Sequence, residues 1–352
     1  MDNQNMYGQA PPPGYGMPPN HNRGGGAKTG CMIVLGCLLI MSVFGNLSLI
    51  MALGVSKAPK PNQAKKFREV TLSGKGKNKI AVLRLHGAIM DAGRSSGIVG
   101  AASFIKKLEQ ARKDRNVKGI FIDANSPGGG VTASDKIYKA LLKVQADKKP
   151  IVMLMGSTCA SGCVYASAGV NKIIAHPTTV TGSIGVIIST LNFSKFMENH
   201  GIKGVAITSK ENKALLSPFQ PVKEEHKKIL KDIVDEMYQR FVGIMAKGRN
   251  LPKAKVLEIA DGRVFTAVQA KKYKLIDQVG YKADAYQAML KLTKLNSARW
   301  VRYQRELSFF DIFQGYATLP VEIKESKRGF LKDVVGMQSP RFYYMWRPGF
   351  RP

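Results

Sequence analysis

The chain's 352 residues suffice for one large domain or two ordinary ones with real hydrophobic cores, and its four cysteines are too few for a disulfide scaffold. Lys and Arg number 54 against 24 acidic residues, a formal charge of +30 that raises nucleic acid, anionic membranes and acidic substrates as partners. The basic residues spread along the whole chain, with no aromatic-basic RNA motif and no zinc-finger spacing, which favours a solvated lysine-rich surface and no nucleic acid.

Residues 1–28 are rich in Pro, Gly, Asn and Gln, include Pro11-Pro12-Pro13-Gly14-Tyr15, and are expected to be a disordered tail. From Cys31 to Val55 about 25 residues pass without a charge, enough to cross a ~30 Å hydrocarbon layer as a helix. Val34-Leu35-Gly36-Cys37 resembles a lipoprotein cleavage box, but most of the apolar run follows Cys37 and no A-x-A site ends it. Residues 29–55 therefore read as an uncleaved signal anchor. Flanking charge counted alone (Arg23 and Lys28 before; Lys57, Lys60, Lys65, Lys66 and Arg68 after) keeps the large domain cytoplasmic, although long translocated domains override it. Residues 56–78, with Pro59, Pro61, Gly74 and Gly76 among many lysines, read as a basic linker.

From Lys79 the texture is that of a folded α/β domain over 79–297, followed by a tail over 298–352. Strands are expected at Ile80–Leu85, Gly119–Ile122 and Ile151–Met155, alternating with helices through Phe104, Ile105 and Leu108 and through Ile137, Leu141 and Leu142. Repeated strand-helix-strand units imply crossovers and a largely parallel sheet. Further on, a strand at Val205-Ala206-Ile207 precedes a long helix opened by Ser217-Pro218, with Ile229, Ile233, Val234, Met237, Phe241 and Ile244 facing the core. The stretch Arg341–Trp346 reads as surface-seeking or partner-binding by composition.

In open α/β sheets ligands gather outside the carboxyl ends of strands, and two such ends stand out. At Pro127-Gly128-Gly129-Gly130, missing side chains let backbone amides approach a ligand and hold a developing oxyanion; an ordinary glycine turn has the same composition. It is no phosphate loop, since no Gly-Lys-Ser/Thr follows at Walker spacing. At Gly156–Gly162, Ser161 lies between an apolar strand and a helix-compatible stretch. That place suits a nucleophile beside the Gly162 amide, and equally a helix N-cap. Cys159 and Cys163, which flank it, read as small buried residues in a tight turn, with a disulfide as the alternative in an oxidising compartment; two sulfurs make a weak zinc signal, and neither metal nor cofactor is expected.

A serine nucleophile needs a base. Of five histidines, His21 lies in the tail, His226 on the charged face of the expected long helix, and His176 precedes Pro177 without an orienting carboxylate near it in sequence. Lysine is the alternative, but its ordinary pKa near 10.4 must fall by about three units, roughly 4 kcal/mol, through apolar burial or nearby positive charge. Lys213, followed by Ala214-Leu215-Leu216, has the apolar context; Lys210 is three residues earlier in a more polar one.

Together Asn125-Ser126-Pro127-Gly128-Gly129, Ala160-Ser161-Gly162, Thr181-Gly182-Ser183-Ile184-Gly185-Val186, Ser209 to Lys213 with Ser217-Pro218, Asp261–Thr266, Leu275-Ile276-Asp277 and Tyr344-Met345-Trp346 resemble the short form of the signal peptide peptidase A (SppA) family. The resemblance implies a Clp protease/crotonase-like fold after one transmembrane helix. It implies Ser161 as nucleophile, Lys213 as base, the Gly129 and Gly162 amides as oxyanion hole and Ser183 as a positioner of the lysine. In Clp-type proteases the catalytic histidine lies further along than His176, where Gly-Ser-Ile-Gly stands here. The resemblance also implies a ring-like homo-oligomer whose lysine comes from a neighbouring subunit, peptide substrates such as cleaved signal peptides and other extended apolar segments, and a single-pass protein in the cell membrane with its peptidase domain on the periplasmic side. Cys163 replaces a usual glycine, and Lys210 follows Ser209 where the family has Ser-Gly, which keeps Lys210 open as the base. The competing readings are a catalytically silent membrane scaffold and a crotonase-type acyl-CoA enzyme; the membrane span speaks against the latter.

Overall fold

The computed structural model describes residues 26–56, 67–91, 98–305 and 342–345, so the expected N-terminal tail lies outside the described residues but for 26–28. The chain divides into two units, Met1–Lys65 and Lys66–Pro352. The first contains helix α1, Gly26–Ser56, with no proline to interrupt it. Its stretch Met32–Leu49 has a mean hydropathy of 2.2 and no buried residue, so it is long and apolar enough to cross a membrane.

The second unit begins with strands β1 (Arg68–Ser73), β2 (Lys79–His86), β3 (Ala88–Met90) and β4 (Ile98–Gly100), then α2 (Ala101–Lys113), β5 (Val117–Ser126), β6 (Gly128–Gly130), α3 (Val131–Ala146), β7 (Ile151–Ala160) and α4 (Gly162–Ser167). There follow β8 (Lys172–Ala175), β9 (Val180–Gly182), β10 (Ile187–Ile188), α5 (Ser194–Asn199), a 3-10 turn at Glu211–Ala214, α6 (Glu224–Arg249) and α7 (Lys253–Leu257). The last elements are β11 (Val264–Thr266), α8 (Ala267–Lys272), β12 (Gln278–Val279), α9 (Lys282–Thr293), β13 (Arg299–Gln304) and β14 (Phe342–Met345).

The main sheet runs β1-β13-β2-β5-β7-β8-β12, with β9 attached to β7 and β11 to β9. From β13 to β12 the neighbours are parallel, as the strand-helix alternation requires. The period-2 alternation of the strands then divides the core in two. Ala81, Leu83, Ile120, Ile122, Ile151 and Met153 join one cluster with Phe104 and Leu108 of α2 and Ile137 and Leu141 of α3. Ile80, Val82, Phe121 and Val152 join the other with Met289 of α9 and Trp300 of β13. Burying each of these large side chains stabilises the fold by about 1.5–3 kcal/mol.

Several expectations change. The linker expected at 56–78 contains β1, which pairs antiparallel with β13, and β13 itself lies inside the tail expected from 298. Both segments belong to the main sheet because Val301 and Tyr303, buried, carry its apolar alternation past the expected boundary. The segment Val205-Ala206-Ile207 is not a strand: Val205 is 85% and Ile207 99% exposed, so the apolar residues meet no sheet in their own chain. The long helix starts at Glu224 instead of Ser217-Pro218, after Pro221, with Glu224 and Glu225 favourable in its first turn. Of its expected core face only Phe241 is buried, while Ile229, Ile233, Val234 and Met237 stay partly exposed. His226, expected on the charged face, is buried with its Nε2 unpartnered in the described structure. Within Arg341–Trp346, residues 342–345 form β14 in a second sheet ordered β10-β14-β6-β3-β4.

Candidate active site

β7 ends at Ala160 and α4 begins at Gly162, leaving Ser161 at the elbow, 1% exposed. Its backbone adopts φ 52° and ψ −111°, a combination that side-chain-bearing residues rarely take and that its surroundings must enforce. Ser161 N–H donates to the Gly182 carbonyl at 2.8 Å, and Tyr165 N–H donates to the Ser161 carbonyl at 2.8 Å. The side chain makes no capping hydrogen bond, which removes the N-cap explanation for this serine. Small residues on both sides, Ala160 and Gly162, let the chain turn this sharply. Behind the elbow, Tyr165 Oη donates to Asp135 Oδ1 at 2.6 Å, and Arg240 donates to the same oxygen at 2.6 Å.

The glycine strand is built beside it. Ser126 aligns with Cys159 across β5 and β7, and Asn125 Oδ1 accepts from Thr158 N–H at 3.0 Å, so the two expected strand ends are tied together. Ser126 Oγ donates to the Gly87 carbonyl at 2.6 Å and accepts from Gly128 N–H at 3.2 Å, which braces the entry into β6. Gly129 is fixed by lack of room: a Cβ there would lie 1.9 Å from the Ile89 carbonyl oxygen of β3. β6 touches α4, and its other edge is occupied by the chain's own β14, which aligns Tyr344 with Gly129.

A third wall comes from β9 and the turn after it. Ser183 is 8% exposed, has φ 52°, and its N–H donates to the Arg263 carbonyl at 2.7 Å. It is one peptide on from the Gly182 carbonyl that holds Ser161. Arg263 in turn hydrogen-bonds the Asp261 carboxylate, which holds that carboxyl down to about 2.

The expected lysines lie elsewhere in their own chain. Lys213 sits in the 3-10 turn and Lys210 caps its start; both are exposed, and neither has a hydrogen bond or ion pair with Ser161 or Ser183. His176 takes no part in the elbow either: its Nδ1 meets Thr178 Oγ1 at 2.8 Å and its ring packs edge-on against Tyr281.

Sequence reasoning missed Gly182 as the acceptor that holds the Ser161 elbow; the run Thr181-Gly182-Ser183 was its only signal. It also placed Cys159 and Cys163 first as unlinked small residues, whereas both are fully buried and joined by a disulfide with Cα atoms 5.2 Å apart.

A buried serine at a strained strand-to-helix turn, beside a glycine strand on a parallel sheet, is the architecture of a serine hydrolase. Residues 143–296 match Peptidase family S49, and residues 79–181 match Clp protease. Over 246 residues the chain is 37% identical to "Putative signal peptide peptidase SppA" of Enterococcus faecium, covering 69% of this chain and 72% of that protein. It is 33% identical over 235 residues to "Protease 4" of Salmonella typhi, covering 66% of this chain and 38% of that one. With "Serine protease SPPA, chloroplastic" of Arabidopsis thaliana it shares 32% identity over 210 residues, 58% of this chain and 31% of that protein. The chain belongs to the SppA family, peptidase family S49, and is a serine peptidase.

Proposed function

We propose that this peptidase is a membrane-anchored endopeptidase that hydrolyses cleaved signal peptides and other extended apolar segments with a Ser–Lys dyad. The observation that carries the reading is Ser161 itself: buried, held at positive φ, and with a hydroxyl the helix does not use. Ser161 Oγ attacks the scissile carbonyl while Lys213 Nζ, entering neutral, takes the hydroxyl proton. Amides of Gly129 and Gly162 receive the oxyanion; its collapse expels the amine, which takes the proton from the lysine. Water then repeats the sequence on the acyl-enzyme, restoring Ser161 and releasing the new carboxyl end. Ser183 positions the lysine amine.

Lys213 is supplied by a neighbouring subunit of a ring-like homo-oligomer. Supporting this, its own chain leaves the lysine in water, leaves Val205 and Ile207 exposed, and only partly covers Ile229, Ile233 and Val234 of α6, apolar side chains that a second copy would bury. A lysine base needs such burial. α1 is the anchor, and the Cys159–Cys163 disulfide, which persists in oxidising compartments, supports a peptidase domain outside the cytoplasm.

The test uses the full chain in detergent with a fluorogenic apolar peptide. Ser161→Ala and Lys213→Ala are each expected to be inactive alone and to recover activity when mixed and reassembled. Undiminished hydrolysis by Ser161→Ala overturns the reading. A fully active Lys213→Ala beside an inactive Lys210→Ala moves the base to Lys210.

A further inference from the structure

The disulfide between Cys159 and Cys163 encloses Ser161 at the middle of its loop. Cys159 is pinned in the sheet from both sides, opposite Ser126 of β5 and Thr181 of β9. Cys163 is the second residue of α4, and both cysteines are fully buried. The covalent link therefore joins the last rigid point before the nucleophile to the first helical turn after it. Between those points lies the one residue whose backbone is held at φ 52° and ψ −111°. Two hydrogen bonds, from Ser161 N–H to Gly182 and from Tyr165 N–H to Ser161, share the task. Without the link, residues 161 and 162 would have to hold a costly conformation through those bonds and packing alone.

We infer that the Cys159–Cys163 disulfide is a positioning element for the nucleophile, so that hydrolysis depends on the oxidised state of this pair. The inference rests on the reading of Ser161 as nucleophile. Reduction by an external dithiol breaks the S–S bond and transfers two electrons and two protons to the cysteines, while the dithiol becomes a disulfide. The freed elbow relaxes toward ordinary dihedrals, moving Ser161 Oγ and the Gly162 amide relative to Gly129. Displacements of this kind near an ångström lower turnover by roughly tenfold to a hundredfold. Substrate binding away from the elbow is left in place, so kcat falls and KM stays within about twofold.

The experiment compares full-length wild type with the Cys159→Ala/Cys163→Ala double variant, both purified in detergent. Their acylation by a serine-directed fluorophosphonate and their peptide kinetics are measured, with thermal melts to establish folding. The expected result is labelling of wild type at Ser161, slowed tenfold or more in the folded double variant, with kcat reduced and KM retained. Equal labelling rates and equal kcat in a folded variant overturn the inference while leaving the Ser161 reading intact. Wild type that is not labelled at Ser161 overturns that reading instead. If the double variant does not fold, wild type is treated with dithiothreitol, assayed, and reoxidised with oxidised glutathione. A reversible loss of labelling, tracked by mass spectrometry of alkylated thiols, supports the positioning role. Unchanged labelling with both thiols alkylated, or two free thiols in untreated protein, refutes it.

Discussion

The Ser161 amide donates to the Gly182 carbonyl at 2.8 Å, so the strand that precedes Ser183 holds the elbow at Ser161. Gly182 has φ 88°, and a Cβ there would meet Phe265 Cδ2 at 2.5 Å and the Arg263 carbonyl at 3.0 Å. Gly182→Ala should therefore displace the acceptor of the Ser161 amide. We expect a stability loss of about 1–3 kcal/mol and a fall in kcat/KM in the fraction that remains folded. Denaturant melts and active-site titration of the same samples measure the two effects.

Adjacent glycines in β6 should differ sharply. A Cβ on Gly129 would lie 1.9 Å from the Ile89 carbonyl and 2.6 Å from the Ile89 nitrogen, whereas one on Gly130 meets nothing nearer than the Ala133 Cβ at 3.8 Å. Backbone cannot swing aside as a side chain can. Gly129→Ala should lose activity by tenfold or more, while Gly130→Ala should stay within about 1 kcal/mol of wild type and remain active. Parallel activity and melting measurements decide it, and equal tolerance at the two positions contradicts the geometry.

Asp277 belongs to a motif that carries the family resemblance, yet its role is structural. Its Oδ1 accepts from Arg249 at 2.6 Å and its Oδ2 from the Ile173 N–H at 2.6 Å, which ties the end of α6 to β8. The Arg249 side chain is only 8% exposed. Asp277→Ala should destabilise the domain by about 3 kcal/mol, because a buried cation is left unpaired. Turnover per correctly folded molecule should be unchanged, which titrated active-site concentrations will show.

The Asp261–Arg263 pair gives a pH dependence of known sign. The arginine holds the Asp261 carboxyl at about 2, below the usual carboxylate range. The pair's stabilisation is thus fully present above about pH 4 and is lost as pH falls through about 2. Because both groups are largely exposed the effect is small. Melting temperatures measured between pH 5 and pH 2 should fall more steeply for wild type than for Asp261→Asn, with equal slopes as the contrary result.

Where hydrophobic period was strong, the sequence predicted structure well: Ile80–Leu85, Gly119–Ile122 and Ile151–Met155 lie in β2, β5 and β7. It failed where the partner strand is remote in sequence, or where the described residues offer none. β1 reads as a lysine-rich linker because its apolar content is slight and its pairing strand begins more than 200 residues later. Val205-Ala206-Ile207 has a strand's composition but no strand beside it. At the site, local chemistry placed Ser161 at a strand-to-helix turn but could not separate nucleophile from helix cap. The unusual backbone angles of Ser161 and the lack of a side-chain cap bond, which weigh against the cap, are not encoded in residue type. The apolar stretch after Lys213 singled it out only weakly among 54 basic residues, and the family resemblance carried the choice.

The last strand has a consequence for how the molecule is made. Among the described residues β14, 342–345, is the one strand paired with β10, and it lies between β10 and β6. A ribosome must release residues through 345 before this strand can enter, whereas the parallel sheet can assemble from earlier residues. The five-stranded sheet around Gly129 therefore closes after the parallel sheet, and a nascent chain carries Ser161 long before the walls around it are complete.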